Sequence, residues 1–242
     1  KATIVFERTN EENEVILTKK DVTTGDPVPG ATIEILNADG TRYLKAVTDE
    51  NGHIVMNEIP AGTYTYKETV APDGFALNTE TFEFSIDHHG KVTGMTEMTD
   101  EPITVKLNKV NTYTGKHFAN IAFTLYDGEG NIVKTKQTDA GYRIAAEDGA
   151  ETFCADENGY AEFRYLPAGE YKFVEHTPVG YISEDEYPVT LTDENGLSNA
   201  VSLTVKNCPT GLKILKVDAK TGNPLTGAGF RIKVKDGLGF ET

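Results

Sequence analysis

The chain repeats itself, and no other feature limits its possible folds as strongly. The segment Leu17-Thr18-Lys19-Lys20-Asp21-Val22-Thr23-Thr24-Gly25 returns as Leu107-Asn108-Lys109-Val110-Asn111-Thr112-Tyr113-Thr114-Gly115. It returns again as Leu215-Lys216-Val217-Asp218-Ala219-Lys220-Thr221-Gly222. Asp49-Glu50-Asn51-Gly52 matches Asp156-Glu157-Asn158-Gly159, and Pro60-Ala61-Gly62-Thr63-Tyr64 matches Pro167-Ala168-Gly169-Glu170-Tyr171. Sixteen residues separate Gly52 from Glu68 and Gly159 from Glu175, and 32 separate Glu68 from Asp100 and Glu175 from Asn207. Only the earlier stretch differs, at 33 residues from Lys19 to Gly52 against 50 from Lys109 to Gly159. The second copy therefore carries a 17-residue insertion, placed near residues 137–153. Self-similarity of this kind marks an array of like structural units.

The same spacing divides the chain. Asp100 precedes Lys109 by nine residues and Asn207 precedes Lys216 by nine, which makes Asn10, nine before Lys19, the matching position of an earlier copy. Residues 1–10 thus read as the last strand of a preceding repeat, 11–101 and 102–208 as whole modules, and 209–242 as the start of an incomplete third. Within each module, short alternating runs such as Thr63-Tyr64-Thr65-Tyr66 and Ser202-Leu203-Thr204-Val205 alternate with turn clusters such as Asn37-Ala38-Asp39-Gly40 and Asp127-Gly128-Glu129-Gly130-Asn131. Period-two alternation bounded by Gly and Asn predicts half-buried strands and tight turns. Ala140 to Ala150 is the nearest approach to a helical pattern and a weak one. The expectation is all-β, as tandem β-sandwich domains.

Residues two apart in a strand share a face. Lys19 falls with Val15 and Leu17, Lys109 with Val105 and Leu107, and Lys216 with Leu212 and Ile214. Glu68 continues Tyr64 and Tyr66, and Glu175 continues Tyr171 and Phe173. Asn207 follows Leu203 and Val205, and Asp100 follows Thr96 and Met98 less cleanly. Each whole module thus aims a lysine, a glutamate and an Asx residue where its apolar residues point. Burial costs a charged group several kcal/mol unless it is paired or neutralised, and it shifts lysine down and carboxyls up in pKa. If the first and last strands are neighbours, a neutral amine could attack the Asx side chain while glutamate moves protons. The product would be a Lys–Asx isopeptide, expelling ammonia from Asn or water from Asp, with no cofactor. The plainer alternative is that each lysine only snorkels at a strand end or pairs with its glutamate.

Other chemistry finds little support. The net charge of −15 repels phosphate backbones and anionic lipid, which argues against nucleic-acid and membrane partners. There is no Gly-x-Ser-x-Gly elbow, phosphate loop or His-Glu-x-x-His. Asp87-His88-His89 and Asp127, Glu129, Asn131 read as solvated turns, so no metal is expected. Cys154 and Cys208 are the only cysteines and read as thiols, unless the insertion folds back to bring them together. The insertion, with Tyr142 and Arg143, is the best candidate for a ligand-binding surface.

The Lys-x-Asp-x-x-Thr-Gly opening and the Tyr-x-x-x-Glu-x-x-x-Pro-x-Gly-aromatic stretch resemble CnaB-type (SpaA-like) domains of Gram-positive pilins and cell-wall adhesins; the second is similar to the pilin E-box. The resemblance implies a prealbumin-like or inverse immunoglobulin-like sandwich cross-linked by spontaneous, single-turnover isopeptide formation, not an enzyme acting on other molecules. Carried over by residue, the triads are Lys19–Glu68–Asp100 and Lys109–Glu175–Asn207, with Lys216 beginning a third and Asn10 an unpaired acceptor. Asp100 departs from the commoner Asn, and Glu175-His176-Thr177-Pro178 is one residue shorter than Glu68-Thr69-Val70-Ala71-Pro72. The expected setting is a secreted, wall-anchored stalk. Sortase and cell wall would then be partners of the full-length protein, with a host matrix protein or glycan bound through other domains. Remaining alternatives are a ligand-binding adhesin module and an accessory domain of a secreted enzyme. No sorting signal or pilin-motif lysine is visible, which favours a multidomain adhesin over a shaft-forming pilin.

Overall fold

A computed structural model describes residues 13–184 and 186–231, together with the backbone of Lys235–Asp236 and Gly239–Phe240. The strand expected over residues 1–10, with Asn10 in it, lies outside the described residues. The chain forms two compact units that divide after Pro209. The larger one holds two sandwiches.

In the first sandwich, β1 (Glu14–Asp21), β2 (Thr32–Asn37), β3 (Arg42–Val47) and β4 (His53–Asn57) are followed by β5 (Gly62–Val70), β6 (Thr81–Ile86), β7 (Val92–Gly94) and β8 (Glu97–Asp100). They form two sheets, ordered β4-β1-β8 and β3-β2-β5-β6-β7. Strand β1 alternates in burial along its length, and its inward residues Val15 and Leu17 join Ile33, Ile35, Tyr66, Phe84 and Met98 in one apolar core between the sheets. Alternation with the apolar face inward is what fixes register in such a layer. The first and last strands lie side by side and run parallel, with Lys19 opposite Met98 and Asp21 opposite Asp100.

The second sandwich repeats the plan with β9 (Thr104–Asn111), β10 (Ala122–Asp127), β11 (Thr135–Thr138), β12 (Gly141–Ile144) and β13 (Phe153–Cys154). It continues with β14 (Tyr160–Arg164), β15 (Gly169–Glu175), β16 (Tyr181–Ile182), β17 (Glu186–Leu191) and β18 (Val201–Pro209). Again the first strand, β9, pairs in parallel with the last, β18. The insertion changes one edge. In the first sandwich β3 borders β2, whereas β11 turns back on β12, and β12 joins β14 in the opposite sheet. The short β13 takes the vacated edge beside β10 and lays Phe153 against Phe123, Phe163 and Phe173. The weak helical pattern near residues 140–150 is therefore a hairpin and turn, and no α-helix occurs among the described residues.

The repeated motifs are backbone devices. Gly52 and Gly159 both have φ of +71°, and their carbonyls accept the backbone N–H groups of Lys19 and Lys109, the lysines of their own modules. A Cβ on either would lie 2.4 or 2.6 Å from that lysine's carbonyl oxygen. Tyr64 and Tyr171 donate their hydroxyls to the carbonyls of Pro60 and Pro167, four residues back. In the smaller unit the third copy of the lysine motif forms the same turn: Gly222 N–H donates to Asp218 O and Leu225 N–H to Lys216 O. These match Gly25 to Asp21 and Val28 to Lys19 in the first copy. The strand expected before that turn is not formed. Leu212, Ile214, Leu215 and Lys216 are exposed, and none of them lies in a strand.

The two sandwiches interlock. Ala76, from the loop after β5, is buried in the core of the second sandwich. Ile103 N–H donates to Gly74 O, Tyr165 N–H to Ile103 O, and Leu77 N–H to Asp193 O. Gly74 has φ of +84°, and a Cβ there would stand 2.9 Å from the Tyr165 carbonyl oxygen. Gly74→Ala is expected to destabilise the tandem by about 1–3 kcal/mol, since it combines left-handed strain with a backbone clash. Urea unfolding of the variant checks this, and Gly25→Ala, with nothing within 4 Å of its Cβ, provides the strain-only comparison.

Candidate cross-linking sites

Each sandwich buries one lysine amine between its two sheets. Lys19 is brought in by the alternation of β1, Glu68 by β5 and Asp100 by the end of β8. The Lys19 Nζ lies in direct contact with Asp100 Oδ1 and 3.4 Å from Glu68 Oε1. Neither carboxyl side chain exposes any surface. Glu68 Oε2 accepts the Asn78 backbone N–H at 2.8 Å, which anchors the glutamate from the loop that follows β5. The amine, Glu68 Oε1 and both Asp100 oxygens have no hydrogen bond of ordinary geometry, so these atoms meet through charge and contact.

The second site has the same parts. Lys109 Nζ donates to Asn207 Oδ1 and lies 3.1 Å from Glu175 Oε2. Asn207 Nδ2 donates to Glu175 Oε1 at 2.7 Å. Glutamate thus bridges the amine and the amide, with one oxygen on each. The residue shortening after Glu175 leaves it in place but turns the loop aromatic: Tyr181 packs on Phe118 of its own sandwich, whereas Phe75 packs on Tyr165 of the next.

Burial sets the protonation states. It pushes Glu68 up to about 7, and the adjacent Asp100 carboxyl adds to the rise while Lys19 opposes it. Asp100 is likewise raised by burial, with Lys19 pulling the other way without overcoming it. Burial holds the Lys109 amine below the ordinary lysine value, partly offset by Glu175. At the first site burial therefore favours the protonated carboxyl groups, and at the second it favours the uncharged Lys109 amine.

The other sequence candidates do not assemble. Lys216 is exposed, and among the described residues no acidic or amide side chain pairs with it. Cys154 and Cys208 are separate exposed thiols. The Asp87 carboxylate is occupied by the N–H groups of His89 and Lys91, and that of Asp127 by Glu129 and Asn131. Among the described residues no three His, Cys, Asp or Glu side chains gather as a metal requires. Tyr142 stacks on Phe163 and donates its hydroxyl to Cys154 O, and Arg143 lies over the Tyr165 ring at 4.1 Å. Both residues of the insertion are therefore turned to internal contacts.

Asn78 and Asp21 were not singled out from the sequence. Asp21 is buried at 4% exposure and lies opposite Asp100. Its signal was present in the repeat, as the Asx two residues after each motif lysine.

Comparison with known proteins follows this geometry. The SpaA family of prealbumin-like fold domains matches the chain twice, over residues 13–102 and 103–207. The trypsin-resistant surface T6 protein of Streptococcus pyogenes is 29% identical over 72 residues, which is 30% of this chain and 13% of that protein. Among solved structures, the Bacillus anthracis TIE protein is 29% identical with a TM-score of 0.48, covering 81% of this chain and 34% of its own. The shaft pilin SpaA of Lactobacillus rhamnosus GG is 17% identical with a TM-score of 0.38, covering 84% of this chain and 100% of its own. This chain spans a small part of the first two proteins.

One prediction concerns the buried charges themselves. Lys109→Met leaves Glu175 without its cation, and Lys109→Met/Glu175→Leu removes both charges; neither variant has an amine to join to Asn207. The double variant is expected to be more stable by about 3 kcal/mol in urea unfolding, since a lone buried charge costs more than an apolar pair. The repeated lysine, glutamate and Asx positions, the parallel first and last strands and the two matched segments lead to one assignment: the chain belongs to the SpaA family of prealbumin-like fold domains, in two tandem copies.

Proposed function

We propose that this chain is part of the structural stalk of a Gram-positive surface adhesin or pilin subunit, hardened by Lys19–Asp100 and Lys109–Asn207 isopeptide bonds. The observation that carries the reading is the burial, twice, of an amine against an Asx side chain with a glutamate touching the pair. An ordinary ion pair does not need such burial, and desolvating it costs several kcal/mol per ion. An amide in its place carries no charge.

In the first module the Lys19 Nζ lone pair attacks Asp100 Cγ. A C–N bond forms, the Cγ–OH bond breaks, and one amine proton leaves with the hydroxyl as water. Glu68 donates its proton to the oxygen and takes the amine proton in exchange, ending as it began. In the second module the Lys109 Nζ attacks Asn207 Cγ and the amide nitrogen leaves as ammonia after receiving a proton through Glu175. Both reactions happen once per molecule and require no cofactor. The neutral amine plus carboxylic acid of the first site holds the same number of protons as the ion pair, so the pH dependence there follows loss of a proton from Glu68 or from that pair.

The loop closed by Lys19–Asp100 spans 81 residues and that closed by Lys109–Asn207 spans 98. By the loop-closure estimate used for disulfides, each is worth about 4–5 kcal/mol. The kinetic gain is larger, because opening a module for a protease would require breaking an amide. A trypsin-resistant surface protein among the relatives supports a durable extracellular role. Attachment to the wall by sortase and adhesion to host matrix or glycan would fall to other parts of the full-length protein.

Intact-mass spectrometry should find the folded chain lighter by one water and one ammonia. Glu68→Ala should restore the water and Glu175→Ala the ammonia. The full unmodified mass in the wild-type chain would sink the proposal. A second expectation separates the two chemistries. When chain kept denatured since synthesis, with no bond yet formed, is first folded across a pH series, water loss should slow as pH rises through about 7, where Glu68 surrenders its proton. Ammonia loss should persist above that point, since the Lys109 amine is the more readily neutral there.

A further inference from the structure

The junction between the modules carries one charged group that the proposed chemistry has not used. Asp21 stands two residues after Lys19 on the same inward face of β1 and lies opposite Asp100 in the parallel pairing. Its Oδ1 accepts the Thr23 N–H and hydroxyl, each at 2.7 Å. Its Oδ2 accepts the hydroxyl of Tyr165, which belongs to the second module. The Tyr165 hydroxyl also lies 2.9 Å from Thr23 Oγ1.

Tyr165 is held for this contact from several sides. Its φ is +64°, a left-handed conformation that a bulky residue adopts only under constraint. Its N–H donates to Ile103, Phe75 packs edge-on against its ring, and Arg143 covers the ring. The corresponding residue of the first module, Glu58, shares the φ of +57° but is not aromatic. The residue matching Asp21 in the second module is the neutral Asn111, whose Oδ1 accepts only the backbone N–H groups of Tyr113 and Thr114. A charged Asp21 therefore accompanies the acid acceptor Asp100, and an uncharged Asn111 accompanies the amide acceptor Asn207.

We propose that Tyr165 of the second module is a positioning residue for Lys19–Asp100 bond formation in the first, acting through the Asp21 carboxylate. The proposal rests on the isopeptide reading above. An acid acceptor must keep its proton to release water, whereas an amide acceptor has no such requirement. A fixed negative charge beside Asp100 makes the site hold its protons to higher pH. The groups facing Asp21 and Asp100 are Lys19 on β1, Glu68 on β5, and Tyr165 with Arg143 behind it. Lys20 and Glu97 pair with each other on the outward side. Burial alone would raise Asp21, but the Tyr165 and Thr23 hydrogen bonds outweigh it and keep this carboxyl below its ordinary value. Asp21 in turn adds to the rise that burial imposes on Asp100. Docking of the second module would thus favour cross-linking of the first.

The test uses the full chain recovered from inclusion bodies and held in urea from the start, so that no bond has yet formed, then diluted into buffers across a pH series. Intact mass and peptide mapping then follow water loss at Lys19–Asp100 and ammonia loss at Lys109–Asn207. Asp21→Asn should slow water loss about tenfold at pH 7 and move its alkaline limb about one pH unit lower, the size of a single neighbouring charge. Tyr165→Phe should act in the same direction by about threefold, and the double variant should match Asp21→Asn alone, because the tyrosine acts through the aspartate. Ammonia loss should keep its wild-type rate in all three, which reports that the second module folds. A wild-type pH profile in Asp21→Asn or Tyr165→Phe overturns the proposal, as does a double variant slower than Asp21→Asn by the full Tyr165 factor. Absence of water loss from the wild-type chain overturns the first-module cross-link and this proposal together.

Discussion

A lysine amine enclosed between two sheets, against one glutamate and one Asx side chain, is the interaction around which each sandwich is arranged. It constrains everything nearby. The first and last strands must be neighbours for the amine to reach the Asx residue, and they must be parallel for Lys19 and Asp100 to meet near the same strand end. The third partner must arrive from the opposite sheet, which places Glu68 on β5 and Glu175 on β15. The glycine that seats the lysine's own backbone cannot carry a side chain, since Gly52 and Gly159 approach the lysine carbonyl too closely. These four demands are the repeat seen in the sequence.

Strand periodicity made the buried lysine, glutamate and Asx positions readable, because a two-residue period fixes which face each side chain takes. Lys19, Glu68, Asp100, Lys109, Glu175 and Asn207 could be brought to one interior from spacing and alternation alone. The edge of the second sandwich could not. Whether β11 stays beside β10 or turns onto β12 is decided by how Phe153 fills the place that β3 occupies in the first copy, and that is a packing outcome. Lys216 shows the opposite failure. Its local motif forms the expected turn, but alternation cannot bury a strand without a sheet to lie on.

The module junction was hidden for a different reason. Repeats are found by what the copies share, and the junction is made of what they do not share: Tyr165 where the first copy has Glu58, Asp21 where the second has Asn111, and Ala76 serving a core that is not its own. Divergence at these positions is the signature of contact between copies. The interface also ties the two modules more closely than a linker would, since their backbones exchange hydrogen bonds at Gly74, Ile103 and Tyr165.

Parallel pairing of the terminal strands has a consequence for any pull along the molecule. The chain enters a sandwich at Glu14 and leaves it at Asp100, and the amine of Lys19 meets the chain again at that exit. With the bond formed, the taut route runs from Glu14 to Lys19, crosses the side chains to Asp100, passes through Thr104 to Lys109 and crosses again to Asn207. Every hairpin, the insertion and both cores hang beside that route as slack. Under the proposed cross-linking, the sandwich would serve less as a spring than as packaging around a short covalent cable.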